Sequence, residues 1–252
     1  MLIAVVNRST SVSNSQASVM CQAIQVQLDL HFLPAYNLKA ATITFYADEK
    51  KVPGYAWVIY LIENDASVPG ALGYHEEETN GKVDGYIMCE PVLSNGGTIL
   101  DFDKTNPGKY TVSGTLSHEV METVSDRFTN CFFDDGNTSW VGEVCDPVEQ
   151  IGYGIAVDGY LVSVSDFVFP NFFNPYATLP YNEPLNYLNT LKVPFSILAG
   201  GYAIVRTGGP GTETQIFGKL MPRWRRDQKK SQFHRFNRRD NLVIDLKKNK
   251  SK

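Results

Sequence analysis

Val112, Leu116, Val120 and Val124 recur at every fourth position, and His118 and Glu122 repeat that spacing out of step with them. At about 100° per residue the four apolar side chains fall on one stripe of an α-helix, with the histidine and glutamate on the opposite face. One side is built for a core and the other for chemistry. Residues i and i+4 of a helix have Cβ atoms about 5–6 Å apart, so His118 and Glu122 can reach a single ion while Glu119 points to the side. This predicts a metal-binding helix: two ligands, with Glu119 as the carboxylate that takes a proton from a water the ion activates. The ordinary alternative is a solvated face that happens to be charged. The other His-Glu pair, His75-Glu76, has Thr79 where the second ligand would stand and fails the same pattern.

The chain has 252 residues, long enough to bury a substantial core, and its 43% hydrophobic and 12% aromatic content predict a globular rather than a disordered protein. The opening Met1-Leu-Ile-Ala-Val-Val is too short for a signal segment, and no stretch reaches the roughly 20 apolar residues of a membrane span. The expectation is a cytoplasmic protein, not exported by a signal peptide and not in a membrane, with Cys21, Cys89, Cys131 and Cys145 mostly reduced. Charge is unevenly spread. From Lys219 to Lys252 there are thirteen Lys/Arg and three Asp/Glu, a net of +10, which leaves −14 on residues 1–218.

Read in order, Leu2 to Val6 is a buried strand and Ser13-Asn14-Ser15 offers a helix cap. Met20, Ala23, Ile24 and Leu28 then repeat at helical spacing until Pro34 is expected to stop the helix. Thr42 to Tyr46 and Trp57 to Ile62 are strands either side of a Val52-Pro53-Gly54 turn. A polar loop containing His75-Glu76-Glu77-Glu78 should precede a fourth strand from Lys82 to Val92. Turn-rich segments then lead into the helix of His118. The fold class is α+β, with a mixed sheet ordered strand, helix, strand, strand, strand before the metal-binding helix.

This order resembles the upper subdomain of the zincin metallopeptidases, in which an edge strand beside the site pairs with an extended substrate. The resemblance implies that His118 is the first ligand and Glu119 the general base. Glu122 replaces the second histidine of the usual H-E-x-x-H; a carboxylate is an acceptable zinc ligand, though one that should acidify a bound water less. His-Glu-x-x-Glu followed about twenty residues later by Glu143-Val-Cys145-Asp146 is similar to a group of zincin-like proteins found in tailed phages, bacteria and the plant exordium proteins. That similarity is best over residues 113–149. It implies Zn2+ as cofactor and carries over Glu143 and Asp146 as one further ligand and one supporting partner, in either order. Cys145 is a weaker candidate, since a single buried thiol is more often inert packing.

Three regions follow: a zincin-like metal-binding subdomain over 1–150, a β-rich subdomain packed on it over 151–218, and a basic tail over 219–252. Asp158-Gly159 predicts a type I′ hairpin, and Tyr202 to Arg206 with Thr212 to Phe217 a second. Residues 166–188, rich in aromatics and proline, read as an irregular segment whose aromatics cover a core or, as the alternative, line a substrate cleft. In the tail, Arg223, Arg225, Arg226, Arg235, Arg238 and Arg239 interleave with aromatics as candidate contacts for an acidic protein surface or phosphate backbone. The acidic body leaves nucleic acid to the tail alone. The functional expectation is a zinc peptidase acting on a peptide or protein substrate, with Tyr153, Tyr160 or His75 as candidate electrophiles beside the metal. The alternative is a non-catalytic structural protein of a bacteriophage virion, attached through its tail; the phage association comes from the resemblance alone.

Overall fold

The computed structural model describes residues 1–68, 71–77, 83–126, 130–176, 183–206 and 213–219. Leu2–Asn7 (β1) leads into Asn14–Gln27 (α1), where Ser13 and Gln16 form a reciprocal capping box at the position the sequence marks. The helix does not stop at Pro34. It passes through one π-helical turn, Leu28–Phe32, into a last short turn, Leu33–Tyr36 (α2), and ends at Asn37 in the left-handed region, φ 49°. Proline is accommodated there because it falls in the first turn of α2, just after the π-helical turn has shifted the hydrogen-bond frame.

Thr42–Tyr46 (β2), Trp57–Ile62 (β3), Gly73–Glu77 (β4) and Val83–Met88 (β5) complete a five-stranded sheet of order β2-β1-β3-β5-β4. The first four strands run parallel and β4 runs antiparallel along β5 at the edge. Two expectations are corrected here. The segment around His75 is a strand rather than a loop, and its polar composition suits an edge position, where half of the backbone has no partner strand. The fourth strand ends at Met88 and not Val92, because the chain turns into Cys89–Ser94 (α3), with Pro91 in the first turn where proline fits.

Side chains alternate across the sheet. One face, with Ile3, Val5, Ile43, Ile59, Leu61 and Ile87, shares the main hydrophobic cluster with α1 and with Val112–Ser125 (α4). The other carries a row of stacked tyrosines, Tyr60, Tyr86 and Tyr74. Thr111 caps α4, its hydroxyl accepting from the Gly114 N–H at 2.9 Å. Val112, Leu116, Val120 and Met121 are fully buried, as the helical stripe requires, and Val124 is partly buried.

Beyond α4, Phe132–Asp134 (β6) and Ser139–Val141 (β7) join Tyr202–Arg206 (β10) and Glu213–Phe217 (β11) in a four-stranded antiparallel sheet. Between these pairs in sequence, Gly152–Val157 (β8) and Tyr160–Ser165 (β9) form the Asp158-Gly159 hairpin, both turn residues having positive φ. The irregular segment after β9 lays Phe167, Phe172 and Phe173 onto the main cluster, so its aromatics cover a core. One cluster runs from Ile3 to Leu191, across the position where the sequence divides the first two regions. The tail beyond Lys219, including Arg223, Arg225, Arg226, Arg235, Arg238 and Arg239, lies outside the described residues. No helix among the described residues is long and apolar enough to cross a membrane.

Candidate metal centre

The polar face of α4 is not solvated. His118, Glu119 and Glu122 are 7%, 3% and 1% exposed, which is far from the ordinary fate of a charged helix face. They are covered on one side by β4 and on the other by the segment after β7. That segment folds back so that the Cys145 N–H donates to Glu122 Oε1 at 3.2 Å. The next residue, Asp146, begins a short 3₁₀ turn and is 1% exposed.

These elements converge on His118 Nε2, which lies 3.1 Å from Glu122 Oε1 and 3.2 Å from Asp146 Oδ1. A tetrahedral ion with bonds of about 2.0–2.2 Å holds its ligand atoms about 3.3–3.6 Å apart. His118 Nε2 therefore stands within a few tenths of an ångström of ligand spacing from each of the two acids. Two further groups stand close by. The Cys145 sulfur belongs to the same cluster, within 4.8 Å of the ligand atoms of His118 and Glu122. Glu143, 2% exposed, is near enough to act electrostatically on Glu122. All four acids and histidines named by the sequence, His118, Glu122, Glu143 and Asp146, are thus brought to one buried place.

Burial raises the Glu122 carboxyl to about 8, with Glu143 and Asp146 adding to the rise and His118 opposing it. Burial alone would lower the His118 imidazole, but Glu122 and Asp146 outweigh it and hold that group well above its ordinary value. A proton is therefore retained among these side chains well into the neutral range, in the place where a divalent ion would replace it. Cys145, pushed up by burial first and by Glu122 next, stays a thiol.

Glu119 lies on the β4 side of the helix, and its Oε2 is 3.0 Å from Nδ1 of His75. Gly73 and Leu72 from β4 and its approach, Thr115, His118 and Glu119 from α4, and Gln150 to Gly152 opposite them line one cleft. Of the three candidate electrophiles, Tyr160 is 44% exposed at the hairpin tip, away from this cleft. Tyr153 accepts from Gln27 and pairs with His31 behind α4, and burial raises its phenol. His75 touches Glu119, yet its side chain is buried behind the carboxylate and does not line the cleft.

The sequence did not single out the network beneath the helix. Ser117 donates to Gln27 Oε1 at 2.7 Å and accepts from the Ser165 N–H at 3.0 Å, while Gln27 donates to the Ser165 carbonyl at 2.8 Å. A glutamine at the end of an otherwise apolar stripe of α1 was the available signal. Comparison with known proteins finds no family model, no curated protein and no solved structure that matches this chain.

Proposed function

We propose that the protein is a zinc-dependent peptidase built on a zincin-like fold, with His118, Glu122 and Asp146 as ligands and Glu119 as general base. The observation that carries this reading is that His118, which lines a cleft together with Glu119, has two buried acid oxygens beside its Nε2, that of Glu122 at 3.1 Å and that of Asp146 at 3.2 Å. Asp146 is preferred to Glu143 as third ligand because its oxygen already faces the imidazole. It is preferred to Cys145 because its oxygen stands 3.2 Å from the imidazole nitrogen, whereas the sulfur is placed only within 4.8 Å of it.

The edge strand that the zincin reading calls for is β4. It flanks the cleft through Gly73, and among the described residues it has a partner strand on one side only. An extended peptide added to that edge would pass over Glu119 and His118. When bound, zinc supplies Lewis acidity for a water and for the scissile carbonyl. Glu119 accepts the proton from that water and returns it to the leaving amine, a part that suits a carboxylate on the cleft wall. The buried setting of His118, Glu122 and Asp146 excludes bulk water from the ligands and fixes their orientation through the Cys145 N–H and the helix.

The test is cleavage of a mixed peptide pool by the full chain, with and without chelator, comparing wild type with Glu119→Gln. Chelator-sensitive cleavage that falls at least about 100-fold in the variant, with zinc content and melting temperature unchanged, is the expected result. Cleavage untouched by either treatment would end the peptidase reading, and a silent Glu119→Gln in a zinc-loaded protein would leave a structural role for the fold.

A further inference from the structure

His75 and Gly73 stand two apart on β4 and so face the same side of the sheet, toward α4. Each acts on the same carboxylate. His75 Nδ1 is 3.0 Å from Glu119 Oε2, and the two side chains are 0% and 4% exposed. A Cβ at Gly73 would lie 2.8 Å from Glu119 Cγ and 2.9 Å from its Oε1, closer than real Cβ atoms come. The strand therefore makes room for one carboxylate oxygen by lacking a side chain and engages the other with an imidazole. Opposite His75, the register places Gly85 on β5, so no cross-strand side chain competes for the space the ring fills.

Resting on the peptidase reading, we propose that His75 is a positioning residue for the general base: as the Nδ1–H tautomer it donates to Glu119 Oε2 and turns Oε1 toward the Gly73 wall of the cleft. The imidazole sits behind the carboxylate and outside the cleft lining, so it acts through Glu119 and meets no substrate. The strand whose outer edge would carry the peptide thereby also aims the base at it, and peptide register and base orientation are set by one element. Partners that orient metal ligands are worth about 10- to 100-fold in metal affinity or activity, and a loss on that scale is expected for the base.

The geometry gives an isostere test. The amide nitrogen of asparagine falls near Nδ1 of histidine, whereas that of glutamine falls near Nε2. On the full chain, with a single fluorogenic peptide chosen from those wild type cleaves, His75→Ala should lower kcat about 10- to 100-fold with KM changed less than about 2-fold. His75→Asn should recover most of the loss and His75→Gln should not. Zinc titration against a chromophoric chelator should give one equivalent for wild type and for each variant. In ¹⁵N-histidine NMR spectra of the metal-free protein, His75 should be the Nδ1–H tautomer, with that proton shifted in Glu119→Gln.

Rescue by glutamine as good as by asparagine, or an Nε2–H tautomer, would overturn the proposal. So would two zinc equivalents falling to one in His75→Ala, since His75, Glu119 and Glu122 would then be ligands of a second ion. Cleavage unchanged in His75→Ala would overturn this inference alone, whereas no chelator-sensitive cleavage by wild type would remove the peptidase reading beneath it.

Discussion

Replacing Ser117 by alanine should destabilise the protein far more than the loss of one hydroxyl at a surface would. Ser117, Gln27 and Ser165 are 0%, 0% and 3% exposed, so no solvent waits to replace what is lost. The substitution strands two buried groups, the Gln27 Oε1 that accepted at 2.7 Å and the Ser165 N–H that donated at 3.0 Å. A buried polar group left unpaired costs about 1–3 kcal/mol, so the pair should cost about 2–6 kcal/mol. For a chain of this size that corresponds to a fall in melting temperature of roughly 4–24 °C. Because Ser117 precedes His118 and ties α4 to α1 and β9, the same change should loosen the helix that carries the ligands. Urea and thermal unfolding of the metal-free full chain measure the effect. Adding Gln27→Leu should cost less than the two single losses summed, by about 1 kcal/mol or more, because one partner's absence spares the other. A Ser117→Ala protein within about 0.5 kcal/mol of wild type, the scale of an unremarkable surface change, would refute the buried network.

Other expectations concern protons and the base. Glu122, raised from 4.5 to about 8, binds a proton in the folded chain that the unfolded chain has already released, and the raised His118 acts in the same sense. Stability of the metal-free protein should therefore fall as pH climbs from about 5 to 8, and the slope should flatten in Glu122→Gln; a metal-free stability that rises over that window would contradict this. Zinc competes with the same protons, so its affinity and its stabilising shift should grow from pH 6 to pH 8, as isothermal titration in buffers of different ionisation enthalpy would register. Gly73→Ala should displace Glu119, whose Cγ the new methyl would approach to 2.8 Å, and lower kcat while zinc binding persists; an unchanged kcat would show that Glu119 has room to spare.

What the sequence displayed and what it hid divide along local and non-local lines. α4 was legible because its signal is a spacing within fifteen residues: the apolar stripe names the face packed in the core, and His118-Glu119-x-x-Glu122 marks the polar one. Glu143 and Asp146 were legible through a resemblance in motif, although only the fold shows that it is Asp146 whose oxygen faces His118. β4 was not legible. Gly73-Tyr-His-Glu-Glu is too polar for the usual strand pattern, and its strand character comes from pairing with β5 at the sheet edge. His75 depends on it twice over, since a slip of one residue in register would turn the imidazole to the tyrosine face. The passage of α1 beyond Pro34 was hidden for a related reason. A π-turn shifts the hydrogen-bond frame so that proline opens a new turn, and local propensity does not announce that.

The central claim, that His118, Glu122 and Asp146 hold one ion, is most directly met by zinc titration of the full chain at pH 7.5 against a competing chromophoric chelator, wild type beside His118→Ala and Asp146→Asn. One equivalent bound by wild type, lost in His118→Ala and weakened about 10-fold or more in Asp146→Asn, is the predicted result. Wild type that binds no zinc, or that binds it equally well without His118, would contradict the account.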